Sequence, residues 1–369
     1  MQTRTKGIII AVIVIVLGFW LGSLLYRQLS DMPFIGQRDG GRGFGKKNQT
    51  FVKGREETIT FYARENEESD RMIARKAILI RRPNAVANVL IFHGFMCDKQ
   101  DIRFLINALF GDATSGELPV NTLSIDFRAH GELAEGQCCT LGSNEMYDVL
   151  GAVKFMKSDP ELAKLPRIAY GFSMGAVASI LAQSQYPALF DMAIWDCPFD
   201  STNNIIARAV ERLKINILGY EFSMPGRSLL ERYAYNSYVQ SFLKALLKTI
   251  AKMDATQVNT CILPVDVVEA MKNISIPFML IVCRNDDKAP LSAVRAIYNA
   301  AQGYKRLWIT NGRGHFDSYF YNPEKYIYKV RRFVQKALDG TYKSRYPAYV
   351  SEDPPDKSDK RALESLYSW

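Results

Sequence analysis

At 369 residues, with 48% apolar and 23% charged positions, the chain has ordinary globular composition and enough length to bury a sizeable core. Its 47 basic and 38 acidic residues leave a formal charge of +9. No basic block interleaved with aromatics and no nucleic-acid motif accompanies that charge, so no nucleic-acid partner is expected; a solvated basic surface is the plain reading and attraction to an anionic membrane surface the better functional one.

Residues 7–26, GIIIAVIVIVLGFWLGSLLY, carry no charge. As a helix rising 1.5 Å per residue, such a run spans about 30 Å, the thickness of a bilayer's hydrocarbon core. Trp20 and Tyr26 lie toward one end, where interfacial aromatics belong. The run is long for a signal peptide, and no small-x-small cleavage site follows it cleanly. A retained single-pass anchor over 1–27 is therefore expected, and with only one such span a channel or transporter is disfavoured. Basic groups nearly balance across the span. The short N-terminal tail with Arg4 and Lys6 favours an inside N-terminus, which places the large domain on the non-cytoplasmic side.

Residues 28–52 are glycine-rich and charged, and read as a flexible linker. Beyond them ETITFYA (57–63) and RKAILIRR (75–82) predict a pair of antiparallel strands. Strands and helices then alternate. NVLIFHG (88–94), VNTLSIDF (120–127), RIAYGF (167–172) and DMAIWDCPF (191–199) read as strands. Helical spacing marks 101–110, 144–157 and 175–185 between them. This rhythm predicts an α/β core with a mostly parallel sheet and helices on both faces.

From 203 to 262 the rhythm changes. Ile206, Val210, Leu213 and Ile217 form one helical stripe, and Tyr235, Tyr238, Phe242, Leu246 and Ile250 another. No strand-like run is evident between them, so a helical lid or cap is expected, with an excess of basic residues suited to anionic headgroups. Strand IPFMLIVC (276–283), helix 292–301, strand KRLWIT (305–310) and helix 324–338 complete the core at 263–340. The tail from 341 to 369 is polar and proline-containing and is expected to be disordered.

Six cysteines stand at 97, 138, 139, 197, 261 and 283, none at the spacing of a zinc site. No metal is predicted. Cys197 and Cys283 fall in apolar runs and are expected as buried thiols; the even count leaves disulfides open.

The chemistry centres on GFSMG (171–175). Gly171, Ser173 and Gly175 form a G-x-S-x-G turn between a predicted strand and a predicted helix, the setting that lifts a serine nucleophile from a sheet. By itself the same stretch is explained by two glycines easing strand-to-helix packing. A serine nucleophile needs a base. The chain's three histidines, His93, His130 and His315, all lie just beyond apolar strands, at the edge where open α/β sheets place their sites. His315, in NGRGHFDSY, comes last. Between it and Ser173, IVCRNDDKAP offers Asp286 and Asp287 beyond another strand. Serine, aspartate, histidine is the chain order of an α/β-hydrolase triad.

With FHGF (92–95), DFRAHGE (126–132), WDCPF (195–199) and GRGHFDSYFYNPEKY (312–326), these motifs resemble the α/β-hydrolase superfamily, more closely its serine aminopeptidase and monoglyceride-lipase-like branch. The resemblance covers about 55–200 and 264–338. It implies Ser173 as nucleophile, His315 as base and Asp286 as acid, with Asp287 the fallback. It further implies an oxyanion hole built from the backbone N–H groups of Phe95 and Met174. His93, with Gly94, would shape the oxyanion loop, while Asp126 and His130 brace the neighbouring turn. The expected activity is hydrolysis of a carboxylic ester, thioester or amide of an acyl or lipid-like substrate, without cofactor. The competing expectation is a non-catalytic binding or receptor protein on the same fold. The sequence leaves the oligomeric state open.

Overall fold

The computed structural model describes residue 23 and residues 54–110, 118–211, 214–217, 220–223, 232–241, 258–342 and 347–355. In chain order its main elements are β1 (Arg55–Arg64), β2 (Met72–Arg81), β3 (Ala87–Phe92), α1 (Arg103–Phe110), β4 (Val120–Ile125), α2 (Glu145–Ser158), β5 (Arg167–Phe172) and α3 (Met174–Gln185). There follow β6 (Met192–Asp196), α4 (Thr202–Glu211), β7 (Lys214–Ile217), β8 (Tyr220–Ser223), α5 (Val267–Met271), β9 (Phe278–Cys283), α6 (Leu291–Ala300), β10 (Lys305–Thr310), α7 (Ser318–Tyr321), α8 (Pro323–Leu338) and β11 (Ala348–Glu352).

Nine strands form one sheet in the order β1-β2-β4-β3-β5-β6-β9-β10-β11. The pairs β1–β2 and β2–β4 are antiparallel, and every later pair is parallel. Side chains alternate across the pleat, so each continuous apolar run feeds two cores. In β3, Leu90 and Phe92 pack with α2, α3, α5 and α6, while Val89 and Ile91 pack on the opposite face with α1 and α8. The chain leaves β3 toward β4 on one side and returns to β5 on the other. That reversal opens a crevice at the carboxyl ends of β3 and β5, where the loops after both strands meet.

Two expectations from the sequence are corrected. Within 203–262 an antiparallel ladder joins β7 to β8, where a purely helical insertion is predicted. Ile215 and Ile217, then Tyr220 and Phe222, are β-branched or aromatic residues at alternate positions. That two-residue period outweighs the helical stripe, and α4 stops at Glu211. Of the second stripe, Tyr235 lies in a turn and Tyr238 in the helical residues 237–241, while Phe242, Leu246 and Ile250 lie outside the described residues. The described parts of 206–257 belong to a compact unit distinct from that of Gly40–Ile205 and Val258–Trp369.

The second correction concerns the tail, since β11 adds a parallel strand to β10. Its composition buries little apolar surface, and most of its side chains are exposed. Polar contacts hold it instead. The Asp353 N–H donates to Ile309 O at 2.9 Å, and the Asp353 carboxylate accepts from Trp308 Nε1 at 2.9 Å and Lys325 Nζ at 2.6 Å.

Among the described residues no helix is long and apolar enough to cross a membrane. The expected anchor at 7–26 lies, Ser23 apart, outside them. A disulfide, which the sequence left open, joins Cys138 to Cys261. Next to it the Cys139 N–H donates to Asn259 O at 2.7 Å and the Cys261 N–H to Cys139 O at 2.8 Å.

Candidate active site

Ser173 stands between β5 and α3 at φ 48° and ψ −115°, a backbone region that costs a non-glycine residue free energy. The flanking glycines show what holds it there. A Cβ on Gly171 would lie 2.6 Å from Ala176 Cα, and one on Gly175 would lie 2.3 Å from Phe92 O. Both glycines thus serve close packing, and that packing is what forces the sharp turn. The Ser173 N–H donates to Asp196 O at the end of β6, at 2.9 Å.

His315 arrives on the loop after β10 and Asp286 on the loop after β9. His315 Nδ1 lies 2.8 and 3.0 Å from the Asp286 carboxylate oxygens, and its Nε2 lies 2.9 Å from Ser173 Oγ. A carboxylate only accepts, so Nδ1 carries the proton and Nε2 offers its lone pair to the serine hydroxyl. Asp286 is 4% exposed, and its Oδ1 also accepts the N–H groups of Lys288 and Ala289 at 2.9 and 2.8 Å. Asp287 is exposed. The structure therefore brings together Ser173, His315 and Asp286, and leaves Asp287 outside the contact.

His93 and His130 do not join this chain of hydrogen bonds. They clasp two loops reciprocally. His93, after β3, accepts the Phe127 N–H at 3.0 Å and donates from Nδ1 to Gly94 O at 2.8 Å. His130, after β4, accepts the Met96 N–H at 3.1 Å and donates to Arg128 O at 2.8 Å. Each ring needs a bare Nε2, so both work as neutral imidazoles. Burial, reinforced by His130, pushes His93 down to about 3, and burial lowers His130 as well. Asp126 adds a third tie, accepting the Lys99 N–H at 2.9 Å and Lys99 Nζ at 2.7 Å. These contacts fix the loop carrying Phe95. A Cβ on Gly94 would lie 3.7 Å from Ser173 Cβ, which sets this loop against the serine. Met174, the other expected oxyanion donor, opens α3 with its side chain buried against Cys139 Sγ, the sulfurs 3.4 Å apart.

Two further residues, at the end of β6, border the site. Asp196 is fully buried; Tyr326 donates to its Oδ2 at 2.7 Å, and Tyr170 therefore donates to Tyr326, also at 2.7 Å. Its Oδ1 has no hydrogen-bond partner among the described residues. Cys197 is fully buried at φ 48°, with Sγ 3.9 Å from His315 Nε2. Burial, then the neighbouring Asp196 and Asp286 carboxylates, raise its thiol well above the ordinary range. The only signal in sequence was position, just past the carboxyl end of a central strand.

Burial pushes Asp196 up to about 7, despite the Tyr326 hydrogen bond and nearby His315. The folded state thus binds a proton that the unfolded chain releases near pH 4. Its stability contribution is present below that value and is lost as pH rises through 7, by about 1.4 kcal/mol per unit inside the window. Asp196→Asn keeps an acceptor for Tyr326 and removes the titration. Its melting temperature relative to wild type is therefore expected to be higher at pH 8 than at pH 5. An unchanged difference between the two pH values would sink the assignment.

Comparison with known proteins agrees with this architecture. A model of the alpha/beta hydrolase family matches residues 89–327. The chain is 28% identical over 226 residues to the uncharacterized protein YqkD of Bacillus subtilis (strain 168), a match that spans 61% of this chain and 65% of that protein. Among solved structures, the esterase Pf2001 of Pyrococcus furiosus superposes with a TM-score of 0.55 at 19% identity, over 79% of this chain and 95% of that one. The peroxisomal alpha-beta-hydrolase Lpx1 of Saccharomyces cerevisiae gives a TM-score of 0.52 at 14% identity, over 85% and 95%. At such identities these two likenesses speak for the fold.

Proposed function

From the premise that the chain belongs to the alpha/beta hydrolase family, whose model matches residues 89–327, we propose that it is a serine hydrolase. Its substrate is a carboxylic ester, thioester or amide with an acyl or lipid-like group. The observation that carries this reading is the unbroken hydrogen-bond chain from Ser173 Oγ through His315 to the buried Asp286, mounted on a strained elbow. In the proposed reaction Ser173 Oγ attacks the carbonyl carbon while His315 Nε2 takes its proton. Asp286 keeps the proton on Nδ1 and stabilises the imidazolium that forms. The N–H groups of Phe95 and Met174 receive the oxyanion, a role that makes no demand on their side chains. His315 then protonates the leaving group, and water, activated by the same histidine, releases the acyl group from Ser173.

The proposed setting is a membrane, with the chain tethered through residues 7–26 and the catalytic unit on the non-cytoplasmic side. The Cys138–Cys261 disulfide supports that side, because disulfides persist in oxidising compartments.

The test is labelling of intact membranes by a fluorophosphonate probe, wild type against Ser173→Ala. Wild type is expected to label in the pelleted fraction and the variant to stay dark. A membrane-impermeant version of the probe reports the side. An unlabelled wild type would shift the reading to a binding or receptor protein on this fold.

A further inference from the structure

The Ser–His–Asp chain leaves Cys197 unused, yet no thiol is better placed to touch it. Its Sγ is 3.9 Å from His315 Nε2, and Sγ, a His315 nitrogen and an Asp286 oxygen all lie within 4.8 Å of one another. The residue keeps a left-handed φ of 48° although it is not glycine, a conformation that persists only where its surroundings impose it. Its backbone is indeed pinned, with the Cys197 N–H donating to Ile281 O at 2.8 Å and the adjacent Asp196 O accepting the Ser173 N–H.

We propose that Cys197 Sγ and His315 Nε2 together form a binding site for a thiophilic divalent cation, zinc or cadmium, and that its occupancy switches the hydrolase off. Zinc binds thiolate at about 2.3 Å and imidazole at about 2.0–2.1 Å, which sets two tetrahedral ligand atoms about 3.6 Å apart. The observed gap of 3.9 Å closes to that with a shift of a few tenths of an ångström. Asp286 already occupies Nδ1, giving the carboxylate–histidine–metal arrangement in which the second nitrogen orients the ring and strengthens the ligand. Ser173 Oγ, 2.9 Å from Nε2, and solvent supply the remaining positions.

The charge balance suits a cation. The buried Asp286 carboxylate lies beside the site, and the Asp196 Oδ1 has no hydrogen-bond partner among the described residues. A divalent ion offsets the charge of the Asp286 carboxylate. Sulfur bonds the ion as its S–H bond breaks, and the proton leaves to solvent; no electron is transferred. His315 is 18% exposed, which gives the ion its approach. With the ion on Nε2, the lone pair that would take the Ser173 proton is engaged. The inhibitory consequence rests on His315 acting as the base, whereas the binding itself does not.

The experiment uses the full chain, stripped with a chelator. Ester hydrolysis is followed as Zn2+ is added, and the cadmium–thiolate charge-transfer absorbance is followed as Cd2+ is added. A Cys97→Ser background keeps the partly exposed Cys97 from contributing a band. That background is expected to lose its activity to Zn2+ reversibly and to recover with chelator. Adding Cys197→Ala should preserve basal activity, weaken inhibition by about 100-fold or more, and abolish the band. Cys197→Ser, nearly isosteric, substitutes if the alanine variant does not fold. Ser173→Ala should retain the band. A band without inhibition would count against the hydrolase reading alone. Equal inhibition with and without Cys197, or absence of a Cys197-dependent band, overturns the cation site.

Discussion

Ser173→Ala is expected to lower kcat for a nitrophenyl ester by about 10⁶-fold, His315→Ala by a similar factor, and the double variant by no more than either alone. The reason lies in the single hydrogen bond of 2.9 Å that joins the two side chains. A serine hydroxyl is a poor nucleophile until a base takes its proton, and Nε2 has no other proton to take. Removing either partner removes the same step. What survives is the contribution of binding and of the proposed backbone oxyanion donors, which neither substitution touches. Steady-state kinetics of the three variants, with melting curves to establish folding, check this. Losses that multiply in the double variant would show that the two residues do not act as a unit.

The second large effect distinguishes two neighbouring aspartates. Asp286→Asn is expected to lower kcat by about 10⁴-fold, whereas Asp287→Asn should change it by no more than a few-fold. Asp286 Oδ1 accepts two backbone N–H groups, from Lys288 and Ala289, besides facing His315. An asparagine there keeps those backbone bonds by holding its oxygen in place, and so turns its NH2 toward His315 Nδ1. That nitrogen must then accept, the ring proton moves to Nε2, and the base has no lone pair for Ser173. Asp287 is exposed, and its substitution leaves this geometry alone. Kinetics of both variants on one ester decide the matter, and comparable losses in the two would remove Asp286 from the proposed mechanism.

Much of the fold was legible because its signals are local. The apolar runs at 88–94, 167–172 and 276–283 bury both faces, and they emerge as β3, β5 and β9 within a parallel sheet. Where two local signals compete, strand pairing settles which prevails. Ile217 fits a helical stripe through Leu213 and also a strand period with Ile215; pairing of β7 with β8 decided between them. The strand β11 was illegible for another reason. Its own side chains bury little, and the order it has comes from the ladder with β10 and from Asp353, partners distant in sequence.

The sequence by itself determined which chemistry was available: a serine between two glycines, three histidines just past strands, and a pair of aspartates between that serine and the last histidine. It could not choose between Asp286 and Asp287, because adjacent residues share composition and context and differ only in where the turn points them. The tertiary structure made that choice, burying Asp286 beside His315 and leaving Asp287 exposed. It also decided what no spacing encodes. His93 and His130 became neutral clasps, Cys138 found Cys261 across 123 residues, and Cys197 came to rest against His315. Residues far apart in the chain become neighbours only through the order of strands in the sheet, and one-dimensional periodicity carries no record of that order.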